Sequence, residues 1–194
     1  QEQFRYVRDR VGRMGEAGAR IQPLLQDYRE LSGTFDKIVS IEMFEAVGLN
    51  HYDDFFGAVD RLMAPDGAML LQTITVNDQY FPQYRATADW IEKYIFPGGY
   101  APALSEVVPE IERAGLYITD IEVLRLHYAH TLRAWRDRFM ATRARVAALY
   151  DARFCRMWEF YLAFCEAAFR HSGLVVFQIQ ISKRNDIVPI TRDY

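Results

Sequence analysis

Several kinds of chemistry are short of raw material in this chain. Its 194 residues include only two cysteines and four histidines. Cys155 and Cys165 lie ten residues apart in one apparent helix, about 15 Å along its axis at 1.5 Å per residue. A straight helix keeps them from bridging each other, so reduced thiols and a cytosolic setting are the simpler reading. No spacing among His51, His127, His130, His171 and the cysteines matches a metal site. A net charge of −3 and a pI near 5.8 offer no basic footprint for nucleic acid. No apolar run reaches the length of a membrane-spanning helix, and no secretory signal opens the chain. Repeats and low-complexity segments are absent. The initiator methionine is missing too, and Phe4, Val7, Val11 and Met14 fall at helical spacing from the start. The expectation is a fragment that begins at or inside a helix, with Gly15 and Gly18 near its exit.

Apolar and aromatic side chains are what the chain has in quantity. Hydrophobic residues make up 51% and aromatics 14%, with 13 Phe and 12 Tyr. That load suits an apolar ligand, and the length fits one domain, residues 1–194, with a sizeable core.

Alternation of period sets the architecture. Ile21 to Leu25 reads as a strand running into the polar stretch Gln26 to Glu30, and Lys37 to Ile41 as the next strand. Tyr52, Phe55, Phe56, Val59 and Leu62–Met63 mark an amphipathic helix, closed by the turn Ala64-Pro65-Asp66-Gly67. Ala68 to Thr75 is a third strand. Residues 76–103 interrupt the pattern with aromatics throughout, as a lid or binding element does. Leu104 to Ala114 reads as a helix, Tyr117 to Leu126 as a strand and Leu174 to Ser182 as a closing strand. Between Ala129 and Arg170 there is neither Pro nor Gly, which leaves one long helix or two with a bend near Tyr150. The class is α/β, a doubly wound and mostly parallel sheet.

Residues 35–48 carry the most information. Ile38, Val39 and Ile41 form a β-branched run of the kind a fully buried parallel strand shows. Glu42 and Glu45 follow at its carboxyl end, where open α/β sheets bind ligands. Either the two carboxylates cap the next helix and face water, or they do chemistry.

Four blocks together resemble one family. Phe35 to Gly48, Tyr94-Ile95-Phe96-Pro97-Gly98-Gly99, Tyr128 to Trp135, and Phe160 to Cys165 are similar, in order, to the signatures of the cyclopropane-fatty-acid synthases. That family includes the mycolic-acid cyclopropane synthases. The resemblance implies a class I, Rossmann-like methyltransferase sheet with its first strands missing and helical insertions for an acyl chain. It implies S-adenosylmethionine as cofactor and alkylation of a cis double bond in a lipid acyl chain. It also implies a bound bicarbonate, with Glu45, Tyr128 and Cys165 as ligands and the Ile41 backbone nearby. Asp27 and Tyr28 match the place where the family meets adenine, and Gln3 a ribose- or adenine-side position. The Gly-rich cofactor turn is expected upstream of residue 1. Gln72 stands where family members commonly carry His, and is expected to supply one hydrogen bond to the anion without titrating.

Partners follow from the same resemblance: a phospholipid or other acyl-lipid substrate, peripheral contact with the inner face of the membrane, no nucleic acid, and a homodimer. A methyl- or methylene-transferase making a branched chain, and a lipid-binding homologue that has lost catalysis, remain open beside ring formation.

Overall fold

Residues 1–87, 90–171 and 173–187 are described by the structure, a computed structural model. They form two units, residues 1–33 and the chain from Thr34 onward.

In the first unit, α1 (Glu2–Gly12) matches the helical spacing of Phe4, Val7 and Val11. A 3-10 helix, Gly15–Arg20, follows. Only glycine fits at Gly18, because a Cβ there would come within 2.1 Å of the Val11 carbonyl oxygen. The strand expected over Ile21 to Leu25 does not form. These residues pair with no strand among the described residues, and Pro23 has no N–H to donate to a ladder. Asp27 caps a short 3-10 helix, Tyr28–Glu30, by accepting from the Arg29 N–H.

The second unit is built on a four-stranded sheet: β1 (Phe35–Ile41), β2 (Met63–Val76), β3 (Tyr117–Val123) and β4 (Leu174–Ser182), in the order β1-β2-β4-β3. β1 runs parallel to β2, and β4 is antiparallel to both β2 and β3. Three strands therefore share one direction, with β4 reversed between β2 and β3.

β1 is parallel as expected but not fully buried. It lies at the edge of this sheet, with Val39 61% and Ile41 58% exposed. The turn at Ala64–Gly67 is a bulge rather than a boundary. Phe35 faces Met63 and Lys37 faces Ala68, so β2 begins at Met63 and residues 64–67 loop out of register. β3 stops at Val123, short of the expected Leu126, because the next helix already starts at Arg125.

The helices are α2 (Tyr52–Leu62), α3 (Phe81–Ala86), α4 (Trp90–Tyr94), α5 (Leu104–Arg113), α6 (Arg125–Leu149) and α7 (Ala152–Arg170). The Pro- and Gly-free stretch is thus two helices. Tyr150 leaves helical geometry, and the Asp151 carboxylate caps α7 through the Phe154 N–H at 2.6 Å. α6 and α7 pack side by side, and Leu132, Leu162, Cys165 and Phe169 join Val176 of β4 in one buried cluster. Ile74, the register partner of Val176, packs on that cluster from β2. Alternation puts Met69, Leu71, Ile179 and Ile181 on the other face, all buried to 1% or less. α2 and α5 pack on each other and on β2 and β3 respectively. Each such large apolar side chain contributes about 1.5–3 kcal/mol by leaving water.

Candidate functional site

The carboxyl ends of β1 and β2 bring the candidate residues together. β1 ends at Ile41, opposite Gln72, and the Glu42 N–H donates to the Gln72 carbonyl at 2.9 Å. Glu42 then takes φ +53°, the only positive value at a non-glycine position among the described residues. A side chain in that left-handed region is strained. The bend turns the chain into the 3-10 helix Phe44–Ala46, and Gly48, at φ +82°, turns it again toward α2.

Neither glutamate caps a helix. The Glu45 side chain reaches across to β2, where its Oε1 accepts from the Ile74 N–H and from Thr73 Oγ1 at 3.2 Å. Its other oxygen, Oε2, is buried without a hydrogen-bond partner. Burial pushes the carboxyl above the ordinary glutamate range, against the pull of the Ile74 and Thr73 donors, and the nearby Glu42 charge adds to the rise. The Glu45 carbonyl accepts from the Tyr100 N–H at 2.9 Å, which ties the 76–103 insertion to this loop.

Gln72 is the hub of a second set. Its Nε2 donates to Glu42 Oε1 and to the Tyr128 hydroxyl, each at 3.0 Å, and its Oε1 accepts from Gln178 Nε2 at 2.8 Å. Both amide N–H groups are therefore committed. Gln72 acts on Tyr128 and Glu42, and an anion receives no N–H from it directly. Tyr128 sits in the first turn of α6 and packs on the cluster that buries Cys165, with its ring 5.3 Å from Phe169. Tyr161, on α7, is pushed up to about 12, chiefly by burial; it stands one helical turn from Cys165 and packs, as Tyr128 does, against the cluster that buries that thiol. Glu45, Gln72 and Tyr128 thus meet at the end of β1, and Cys165 lies in the cluster on which Tyr128 packs.

The three cofactor-side positions belong to the first unit. Gln3 is exposed on α1. The Asp27 carboxylate is gripped by the Arg29 guanidinium at 2.7 and 3.0 Å, which holds it well down, at about 2. Tyr28 beside it is half-buried. Sequence reasoning leaves Gln178 and Tyr161 out of the site and Glu42 out of its ligands. For Glu42 a signal exists, an acid directly at a strand's carboxyl end. Gln178 joins through a pairing 106 residues away, which no local pattern announces.

Strands alternating with helices, a reversed strand beside the last parallel one, and acids at the strand ends define a Rossmann-like methyltransferase fold. The structure aligns with the cyclopropane synthase CmaA1 complexed with SAH and CTAB at TM-score 0.79 and 28% identity, over 93% of this chain and 66% of that one. MmaA2 of Mycobacterium tuberculosis aligns at TM-score 0.76 and 25% identity, over 90% and 67%. The sequence pattern of mycolic acid cyclopropane synthetase matches residues 1–179, and the chain belongs to that family. It is 44% identical to the tuberculostearic acid methyltransferase UfaA1 of M. tuberculosis, over 91% of this chain and 42% of that protein. It is 38% identical to the cyclopropane-fatty-acyl-phospholipid synthase of Escherichia coli K12, over 86% and 42%. The chain therefore spans less than half the length of these curated relatives.

Proposed function

We propose that this chain forms the acyl-binding and proton-handling part of an enzyme that alkylates a cis double bond of an unsaturated fatty acyl lipid. The observation that carries the reading is the buried, half-satisfied Glu45 carboxylate at the strand ends, joined through Thr73 and Ile74 to the Gln72–Tyr128 network. S-adenosylmethionine supplies the electrophilic methyl group when bound; Gln3, Asp27 and Tyr28 are the residues here proposed to meet it.

An alkene is a weak nucleophile, so the protein must hold it in line and keep water out. Aromatic faces around the site stabilise the positive charge that alkylation leaves on the acyl chain. Phe96 and Tyr161 meet edge-to-face at 6.1 Å, and Trp90 and Phe160 at 4.9 Å, so the insertion and α7 share an aromatic wall. We assign this wall to the acyl tunnel. Removal of a proton then closes a ring or leaves a branch.

Bicarbonate fits the residues in part. Glu45 Oε2 is free to accept an O–H, and the Tyr128 hydroxyl and Cys165 thiol can donate to an anion. The Glu42 carboxylate opposes any anion placed there. Bicarbonate would serve as the proton acceptor, and Glu42 makes its binding weak; a rate independent of added bicarbonate would assign proton removal to Glu42 instead.

A branched product is the second reading, favoured by the 44% identity to a protein named as a methyltransferase. The test is incubation of the whole protein with methyl-labelled S-adenosylmethionine and an unsaturated phospholipid. Mass spectrometry before and after hydrogenation separates a ring from an unsaturated branch. No label in any acyl chain would sink both readings and leave the lipid-binding homologue. No helix among the described residues is long and apolar enough to cross a membrane. Contact with the inner face of the membrane from the cytoplasm, and a homodimer, complete the proposal.

A further inference from the structure

The paired helices α6 and α7 carry a charge opposite to the rest of the chain. Residues 125–170 hold nine arginines against four carboxylates, a net of +5 in a chain whose total is −3. Glu166, Glu159 and Asp137 answer some of these arginines. Arg145, Arg153 and Arg156, at the end where the helices join, are exposed and pair with no carboxylate among the described residues. Between them stand Leu149, 78% exposed, and Tyr150, 68% exposed. An apolar tip ringed by free cations is costly to hold in water, and it matches a surface that is apolar below and anionic above.

The tip also leads somewhere. Tyr150 stacks on Phe154 at 4.4 Å, Phe154 on Trp158 at 5.9 Å, and Trp158 meets Tyr161 at 5.0 Å. From Phe154 to Tyr161 the file runs about 10 Å along α7, and Tyr161 stands one turn from Cys165, packed like Tyr128 against the cluster that buries it.

Resting on the acyl-lipid reading, we propose that the α6–α7 tip docks on an anionic bilayer. Leu149 and Tyr150 enter the interface, Arg145, Arg153 and Arg156 meet lipid phosphates, and the aromatic file is the path between bilayer and site. Each cation near an anionic leaflet is worth about fivefold in partition.

Co-sedimentation of the whole protein with phosphatidylcholine vesicles, and with vesicles also containing phosphatidylglycerol, tests this. Arg145→Glu/Arg153→Glu/Arg156→Glu is expected to lower partition onto the mixed vesicles about a hundredfold or more. Equal partition of the variant and the natural protein overturns the proposal. So does equal binding to neutral and anionic vesicles. Should the triple variant fail to fold, Leu149→Cys bearing an environment-sensitive dye decides: a blue shift on anionic vesicles supports docking, and none overturns it. Docking is read from sedimentation alone, so absence of turnover on every acyl lipid would defeat the alkylation reading and not this one.

Discussion

Two glutamates are withdrawn from water in the second unit, and they are treated in opposite ways. Glu166 on α7 lies among Arg133, Arg136 and Arg170, with contacts of 3.5, 3.3 and 3.0 Å. Glu45 pairs with no cation among the described residues; one oxygen has the Ile74 N–H and the Thr73 hydroxyl, and the charge that acts on it is another carboxylate, Glu42. The first arrangement shares one carboxylate among arginines of both helices and so binds α6 to α7. The second keeps one uncomfortable, with an oxygen unsatisfied where a ligand could supply the missing proton or donor. Burying a carboxylate without a compensating cation is costly, and acids perturbed in this way concentrate at functional sites.

Glu45→Gln should have the largest effect. The amide keeps Oε1 for Ile74 and Thr73 and changes only the unpartnered atom, so the fold should survive. Turnover should fall about 10²- to 10⁴-fold, the range of a lost acid–base group, while circular dichroism and melting stay close to the original. Near-normal turnover would make Glu45 a second structural carboxylate.

Glu166→Ala should show the reverse. Removing the shared anion leaves three arginines facing one another. Breaking a fully buried pair costs about 3–5 kcal/mol, and because these arginines are partly solvated the loss here should be about 2 kcal/mol. Denaturant unfolding reads it, with turnover per folded molecule little changed. A loss of turnover without a loss of stability would move Glu166 into the site.

How much of this was visible beforehand depends on distance along the chain. β4 lies where its alternating apolar run placed it, Leu174–Ser182, and the break at Tyr150 follows from the Asp151 cap. Ile21 to Leu25 has strand composition but no strand to pair with, and composition cannot supply a neighbour. Val39 and Ile41 have the apolar character of a central strand yet lie at the edge of this sheet. For the candidate site, Glu45, Tyr128 and Cys165 could be named from the sequence because they stand in family blocks. The Gln72–Glu42 and Gln72–Gln178 bonds were not, because they depend on register and on a backbone bend at Glu42.

Gln72 sharpens the comparison from the network side. It is a positioning residue: its amide holds the Tyr128 hydroxyl and the Glu42 carboxylate, each through one neutral-donor bond. Losing such a bond is worth on the order of 1 kcal/mol. Gln72→Ala should raise the bicarbonate concentration for half-maximal rate by up to about tenfold, with the maximal rate less affected. Glu42→Gly removes both the opposing charge and the strained φ, and should shift the same concentration downward. If neither variant moves it, the anion lies elsewhere.

The smallest effect is a matter of slope. The folded protein holds Glu45 above the ordinary glutamate value of 4.5, because burial disfavours its charge and the Glu42 carboxylate adds to the effect. Folding therefore takes up a proton in the interval between those two values. Stability from this group is fully present below the unfolded value and is lost as pH rises through the folded one. Glu45→Gln cannot lose it. Unfolding free energies of the natural protein and the variant, measured side by side across weakly acidic pH, should diverge upward in favour of the variant as pH increases. Parallel curves would mean that Glu45 ionises as freely folded as unfolded, and the contrast with Glu166 would lose its electrostatic basis.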